Sequence, residues 1–300
     1  MRATQERTAS RLMAAIALAS AAAIAAAYSA NLFSFFVVVP GAYARDVPTG
    51  CAWRRGEGPA RGATYLATLL VSSVGLFLPA MVWTYAIAGT LEFRPGGMLA
   101  GHVDPLTANI LLALFVFGLA KIAPPPLHRW LSASSVAPYP ALVSIQALAV
   151  LPAGGVGLLK ISAYVFGAAL HQAEIAARLL LILVGATMCV AALIALSSRI
   201  CASAWLIPRW RNRWRSRWAR CWRCRRACSR RTLQIVALAC ASATLLMAAG
   251  SVHAATGRRD AKDYAGLGQL MPWTFAAFAL GSASMIGMPP FSGAWANFGS

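Results

Sequence analysis

Long uncharged stretches alternate with short charged ones along the whole chain. They are Leu12–Ala44, Ala63–Leu91, Pro105–Ala120, Leu131–Leu159, Leu179–Ser198, Thr232–Val252 and Ala265–Ser300. A helix needs about 20 apolar residues to cross a hydrocarbon core about 30 Å thick. The first stretch is long enough for two short helices turning near Ser29–Asn31. The pattern predicts an all-α, polytopic integral membrane protein of about eight transmembrane helices. Residues 1–300 form a single transmembrane domain in this reading, with no soluble catalytic domain left over. Trp83 and Tyr85 fall near the far end of the second stretch, where an aromatic belt is expected.

Two features between Phe115 and Gly167 interrupt the pattern. Lys121 lies in an apolar helix that the prolines 124–126 then stop, and His128, Arg129 and Trp130 follow as at a membrane–water boundary. An apolar segment comes next, broken by Pro152, Gly154 and Gly155 and running on to Lys160. An intramembrane lysine costs about 2.5–3.5 kcal/mol or more and usually faces a bundle interior or a hydrated path. Backbone groups freed by a helix break must be satisfied again by neighbours, side chains or water. Ion and proton transporters combine these two features at mid-membrane. The alternative for Lys121 is a lysine near a helix end that snorkels to the interface.

Composition agrees: 59% of the 300 residues are hydrophobic and 12% charged, with a mean hydropathy of +0.63. The net charge of +19 lies in the connections and reports orientation first. It places the N-terminus, Arg45–Arg61 and Arg199–Arg231 on the cytoplasmic side. The N-terminal apolar run reads as a retained helix; cleavage as a secretory signal after Ala30 is the alternative. Residues 199–231 form a basic connection in which Trp210, Trp214, Trp218 and Trp222 recur every four residues. That suits an interfacial amphipathic helix on an anionic leaflet better than a nucleic-acid-binding arm tethered between spans. Cys221, Cys224 and Cys228 lack an evident fourth ligand, His171 and Glu174 stand alone, and the seven cysteines suggest no disulfide framework. No metal site, cofactor motif or nucleic-acid partner is expected.

Several stretches are recognisable, above all GLAKIAPPPLHRWL (residues 118–131) and GLGQLMPWTFAAF…SMIGMPPFSGAW (residues 266–295), with Ser29–Phe36, Tyr65–Leu91, Val136–Pro140 and Leu159–Gly167. On these the chain resembles the antiporter-like membrane subunits shared by Mrp-type Na+/H+ antiporters, Complex I and related membrane hydrogenases, in particular the D-type Mrp subunits. The resemblance implies about fourteen helices with two inverted five-helix repeats and a mid-membrane line of ionisable groups. This chain matches a part of that, from near the fourth helix into the twelfth, a partial antiporter-like fold.

The resemblance also implies which residues carry protons. The first repeat's lysine falls on Lys121, and the PxHxWL element is kept as Pro126, His128, Trp130 and Leu131. Lys121, His128 and Lys160 form the expected proton path. Other family positions are lost: the paired glutamate at Pro40, a histidine at Gln146, and lysines at Pro152, Ser242 and Asn297. The lapses cluster in the blocks Val37–Ala60, Ala141–Gly157 and Arg199–Ser242, a pattern that compensating frameshifts in a GC-rich gene would leave. The expected role is that of a membrane subunit of a monovalent cation/proton antiporter complex, working with other membrane subunits in the bacterial inner membrane on protons and Na+ or K+. The alternatives are a membrane subunit of a proton-pumping NADH:quinone oxidoreductase or hydrogenase complex, and a non-transporting remnant. A transporter subunit is favoured over an enzyme, and any electron transfer would reside in partners.

Overall fold

A computed structural model describes residues 2–38, 67–119, 139, 143, 150–197, 225–257 and 266–289. Among them the backbone is almost wholly helical, with one isolated antiparallel bridge, Asn31 to Glu92. Helix α1 is Arg2–Tyr28 and α2 is residues 32–38, so the turn expected near Ser29–Asn31 is present. Helix α3 is Ala67–Ala88, α4 is Pro105–Gly118, α5 is Val150–Lys160 and α6 is Glu174–Ser197. Helix α7 is Arg225–Thr256, α8 the single turn Leu267–Leu270 and α9 Pro272–Ile286. Of the eight or so spans expected, three stretches of the described residues are long and apolar enough to cross a membrane: Ala67–Ala88, Ala153–Leu183 and Ile235–Thr256. Helix α4 is apolar but shorter.

Local chemistry sets the boundaries. Pro79 has no N–H to offer the Gly75 carbonyl, and its ring would crowd that oxygen. Helix α3 widens there into a π-turn, Ser73–Phe77. It ends at Gly89, whose φ of 68° brings its N–H onto the Tyr85 carbonyl at 2.8 Å, the left-handed cap that glycine favours. Pro105 and Pro272 open α4 and α9, where a missing N–H costs nothing.

The core is a row of aromatic rings. Phe77 stands 5.3 Å edge-on to Phe115, which is edge-on to Phe166 at 6.1 Å. On its other side Phe77 stacks with Phe36 at 5.9 Å and lies 6.1 Å from Phe35. Phe35, Phe77, Phe115 and Phe166 are all buried, so one row ties α2, α3, α4 and the segment after α5 together. Two glycines make room: Gly118 lies flush against the Phe77 backbone, and Gly157 of α5 faces the Phe35 ring. Helix α5 also packs against α1 and α7, and α7 against α9. The close fit of α7 and α9 is at Gly281, opposite Thr244 and Leu245.

The break does not fall at Pro152–Gly155. Helix α5 is continuous through Pro152, Gly154 and Gly155, and the irregularity begins after Lys160. Ile161–Phe166 is a π-turn and Gly167–Ala173 a 3-10 turn before α6 starts. Gly167 has φ 48° and ψ −117°, a conformation essentially restricted to glycine. The physical reason is a second backbone that closes on the first. Met98 and Leu99 donate their N–H groups to the Tyr164 and Val165 carbonyls at 3.0 Å each, and Ala168 donates to Gly96 O at 3.1 Å. A Cβ on Gly97 would overlap the Phe166 carbonyl, and one on Gly167 would overlap that of Gly96. The α3–α4 loop thus satisfies the carbonyls that the break releases through the Met98 and Leu99 N–H groups, and its glycines only let the two backbones approach.

Candidate functional site

The broken segment places one cation where three chain segments meet. Lys160 ends α5 and is half-buried. Its Nζ donates to Ser29 O at 2.7 Å, to Ala26 O at 3.0 Å and to Ser29 Oγ at 3.0 Å. Three ammonium donors thus meet three oxygens, all at the C-terminus of α1. A helix leaves its last four carbonyls without intrahelical partners, and its C-terminus carries partial negative charge that favours a cation. The Ser29 hydroxyl donates to Ala26 O at 2.9 Å while accepting from Lys160. The Nζ also lies 5.2 Å from the Phe93 ring centre and 6.0 Å from that of Phe35, within reach of a cation–π attraction.

The neighbouring backbone holds these groups in register. Leu32 N–H donates to Leu91 O at 2.9 Å and Phe93 N–H to Ala30 O at 3.1 Å, on either side of the Asn31–Glu92 bridge. That bridge sets the Phe93 ring beside the end of α1, and Phe93 in turn contacts the Tyr164 ring at 5.7 Å. Among the described residues no carboxylate lies within ion-pair distance of Lys160, and the one described ion pair is the exposed Glu174–Arg178 pair on α6. The Lys160 charge is therefore held by helix-end carbonyls, a hydroxyl and two aromatic faces.

Of the expected path residues, Lys160 is thus placed, while Lys121 and His128 lie outside the described residues, as do Pro40, Gln146 and Asn297. Pro152 lies within α5, ahead of Lys160. Ser242, one of the positions at which the resemblance implies a lysine, is buried in α7 and donates to its own helix at Ala239 O, 2.8 Å away. The Arg/Trp connection is outside the described residues up to residue 224, and Arg225–Arg231 belong to α7. His171 is exposed, Glu174 pairs with Arg178, and no group of three or more metal-ligating side chains occurs among the described residues. Sequence reasoning missed the acceptors of Lys160, most of which are backbone atoms. It also missed Asn109. From α4, its Oδ1 accepts the Ala176 N–H in the first turn of α6 at 2.7 Å, and its Nδ2 donates to Gln172 O at 3.3 Å and Pro105 O at 2.7 Å. Its signal was an amide in an otherwise apolar helix.

Apolar membrane-length helices packed around a broken segment define a multi-pass α-helical membrane protein. The chain belongs to the family described as NADH:quinone oxidoreductase/Mrp antiporter, TM, which matches residues 54–199 and 225–300. The interval between, 200–224, falls in the Arg/Trp connection. The chain is similar to the D-type Na(+)/H(+) antiporter subunit of Alkalihalophilus pseudofirmus, 25% identical over 274 residues, covering 89% of this chain and 53% of that protein. It is also similar to NADH-ubiquinone oxidoreductase chain 5 of Rhizopus stolonifer, 28% identical over 241 residues, covering 74% of this chain and 32% of that one. The chain therefore spans about half the length of the antiporter relative and about a third of the oxidoreductase relative. Its fold matches a polypeptide in the structure of the Mrp complex from Dietzia sp. DQ12-45-1b, with a TM-score of 0.77 and 21% identity over 94% of this chain and 52% of that one.

Proposed function

We propose that this chain is a membrane subunit of a monovalent cation/proton antiporter complex of the Mrp type. In this reading it sits in the bacterial inner membrane as a single transmembrane domain, beside other membrane subunits, and handles protons with Na+ or K+. The supporting observation is the family match over 54–199 and 225–300, joined to a lysine held at a helix break. The likeness to NADH-ubiquinone oxidoreductase chain 5 favours a second reading, a membrane subunit of a proton-pumping redox complex whose electron transfer lies in partner subunits.

The chain's own chemistry limits its transport. A relay needs closely spaced titratable groups or water between them, and Pro40, Pro152, Ser242, Gln146 and Asn297 stand at positions where the family resemblance implies ionisable groups. The isolated chain is expected to show little or no antiport. The test is proton flux in proteoliposomes for the parent, for Lys121→Ala, and for a restored chain with Pro40→Glu, Gln146→His, Pro152→Lys and Asn297→Lys. Flux in the restored chain, or in the parent only when it is reconstituted with co-purified partners, supports the subunit reading. Partners that are small antiporter subunits select the first reading, and redox subunits select the second. No flux in any form leaves the non-transporting remnant. Strong flux from the parent alone, unchanged in Lys121→Ala, refutes the assignment of the path.

A further inference from the structure

The acceptors around Lys160 have the character of a cation site rather than of an ion pair. An ion pair would present a carboxylate. Here two main-chain carbonyls and a hydroxyl converge from one helix end, at 2.7–3.0 Å from a single nitrogen. Two aromatic rings face the same nitrogen. Helix C-termini and unwound backbone carbonyls are what membrane proteins use to hold small monovalent cations, and aromatic faces favour weakly hydrated ones. The Ala26 end of the pocket is buried, so an empty pocket would strand a helix-end carbonyl that the Ser29 hydroxyl alone serves.

We infer that the pocket formed by Ala26 O, Ser29 O, Ser29 Oγ and the rings of Phe93 and Phe35 is a monovalent-cation site, which the chain fills with its own Lys160 ammonium. Its ligand class is ammonium, methylammonium and K+, cations close in size to the tethered ammonium. Na+ fits less well, because it requires shorter bonds than these oxygens offer around one centre. The inference deepens the reading of the chain as a handler of monovalent cations and rests on it for biological meaning. Lys160 then acts as a built-in competitor. With the ammonium seated the site is closed to soluble cations, and only withdrawal of the side chain opens it.

The experiment uses the full-length chain in detergent, with melting temperature read at constant ionic strength in choline, Na+, K+, ammonium or methylammonium chloride. The parent is expected to melt at the same temperature in all five. Lys160→Ala is expected to melt lower in choline and to recover saturably with methylammonium, ammonium and K+, by about 2–4 °C or more. Lys160→Gln, whose amide is one atom shorter but still brings N–H donors towards the same carbonyls, is expected to show a smaller cation-specific recovery than Lys160→Ala. Ser29→Ala combined with Lys160→Ala should weaken the recovery. If Lys160→Ala does not fold in choline, extraction in ammonium should restore its monodisperse fraction. Recovery that is equal in choline, equal in Lys160→Gln, or absent in every salt overturns the inference. Because the readout is binding and not transport, a silent proteoliposome assay leaves it standing.

Discussion

Replacing Gly167 by alanine tests whether the α3–α4 loop and the broken segment are locked by direct backbone contact. The substitution adds one methyl group. At φ 48° and ψ −117° a side chain is strained by about 1–3 kcal/mol. The new Cβ would also overlap the Gly96 carbonyl, so the loop must retreat. That breaks the Ala168–Gly96 hydrogen bond and loosens those from Met98 and Leu99 to Tyr164 and Val165, each worth about 0.5–1.5 kcal/mol. Strain plus one to two lost bonds comes to about 3 kcal/mol. At about 2–4 °C per kcal/mol, the melting temperature should fall by roughly 6–12 °C. Fluorescence-detected size exclusion after a heating series measures this on small amounts of detergent-solubilised chain. Gly185→Ala is the control, since its Cβ would meet open space on α6, and it should be neutral or stabilising by up to about 1 kcal/mol. A Gly167→Ala chain melting within about 2 °C of the parent would refute the reasoning, because the loop would then have room to relax.

Other consequences are smaller or more local. Asn109→Ala should cost about 1–2 kcal/mol, by leaving the Ala176 N–H without its acceptor, while Asn109→Asp keeps that acceptor but sets a carboxylate oxygen against the Pro105 and Gln172 carbonyls and should recover only part of the loss; equal melting temperatures for all three would show that the link is unimportant. Gly281→Leu should separate α7 from α9 by overpacking against Thr244 and Leu245, at about 1–3 kcal/mol, seen as a lower melting temperature than that of the parent. Cys240 is exposed on α7 inside the Ile235–Thr256 span. In a chain with its other cysteines changed to serine, it should resist an impermeant charged maleimide from either side of the membrane yet react with a lipid-soluble one, and labelling by the charged reagent would show that this face meets water.

Uncharged runs of helix length announced the membrane helices because lipid imposes that length directly. The turn at Ser29–Asn31 was legible because a run of 33 residues, Leu12–Ala44, is too long for one span and carries its polar residues together. The break was expected at Pro152 and Gly154–Gly155 because these residues weaken helices. In the fold, tertiary contact overrides that propensity. Gly154 and Gly155 are buried within α5, with Gly155 against Ile235 of α7, and the chain departs from the helix where another backbone supplies donors. Lys160 was legible as a cation in an apolar setting. Its acceptors were not, because carbonyl oxygens belong to every residue and a partner 131 positions away leaves no periodic trace. Asn109 was overlooked for a related reason: one amide in an apolar run does not say which helix end it serves.

The reach of Lys160 back to the end of α1 also sets a timetable for biogenesis. Ser29 and Lys160 are separated by 131 residues, which at about 5–20 residues per second takes roughly 7–26 s to synthesise. Through that interval α1 is made and ready for the bilayer, while the ammonium that will cover its terminal carbonyls does not yet exist. Those oxygens must meanwhile be hydrated or held by the insertion machinery, so α1 docks late although it is made long before α5. The order of synthesis and the order of assembly therefore run in opposite directions for this contact, and a ribosome that stalls between Ser29 and Lys160 strands a helix whose closing residue lies in the untranslated message.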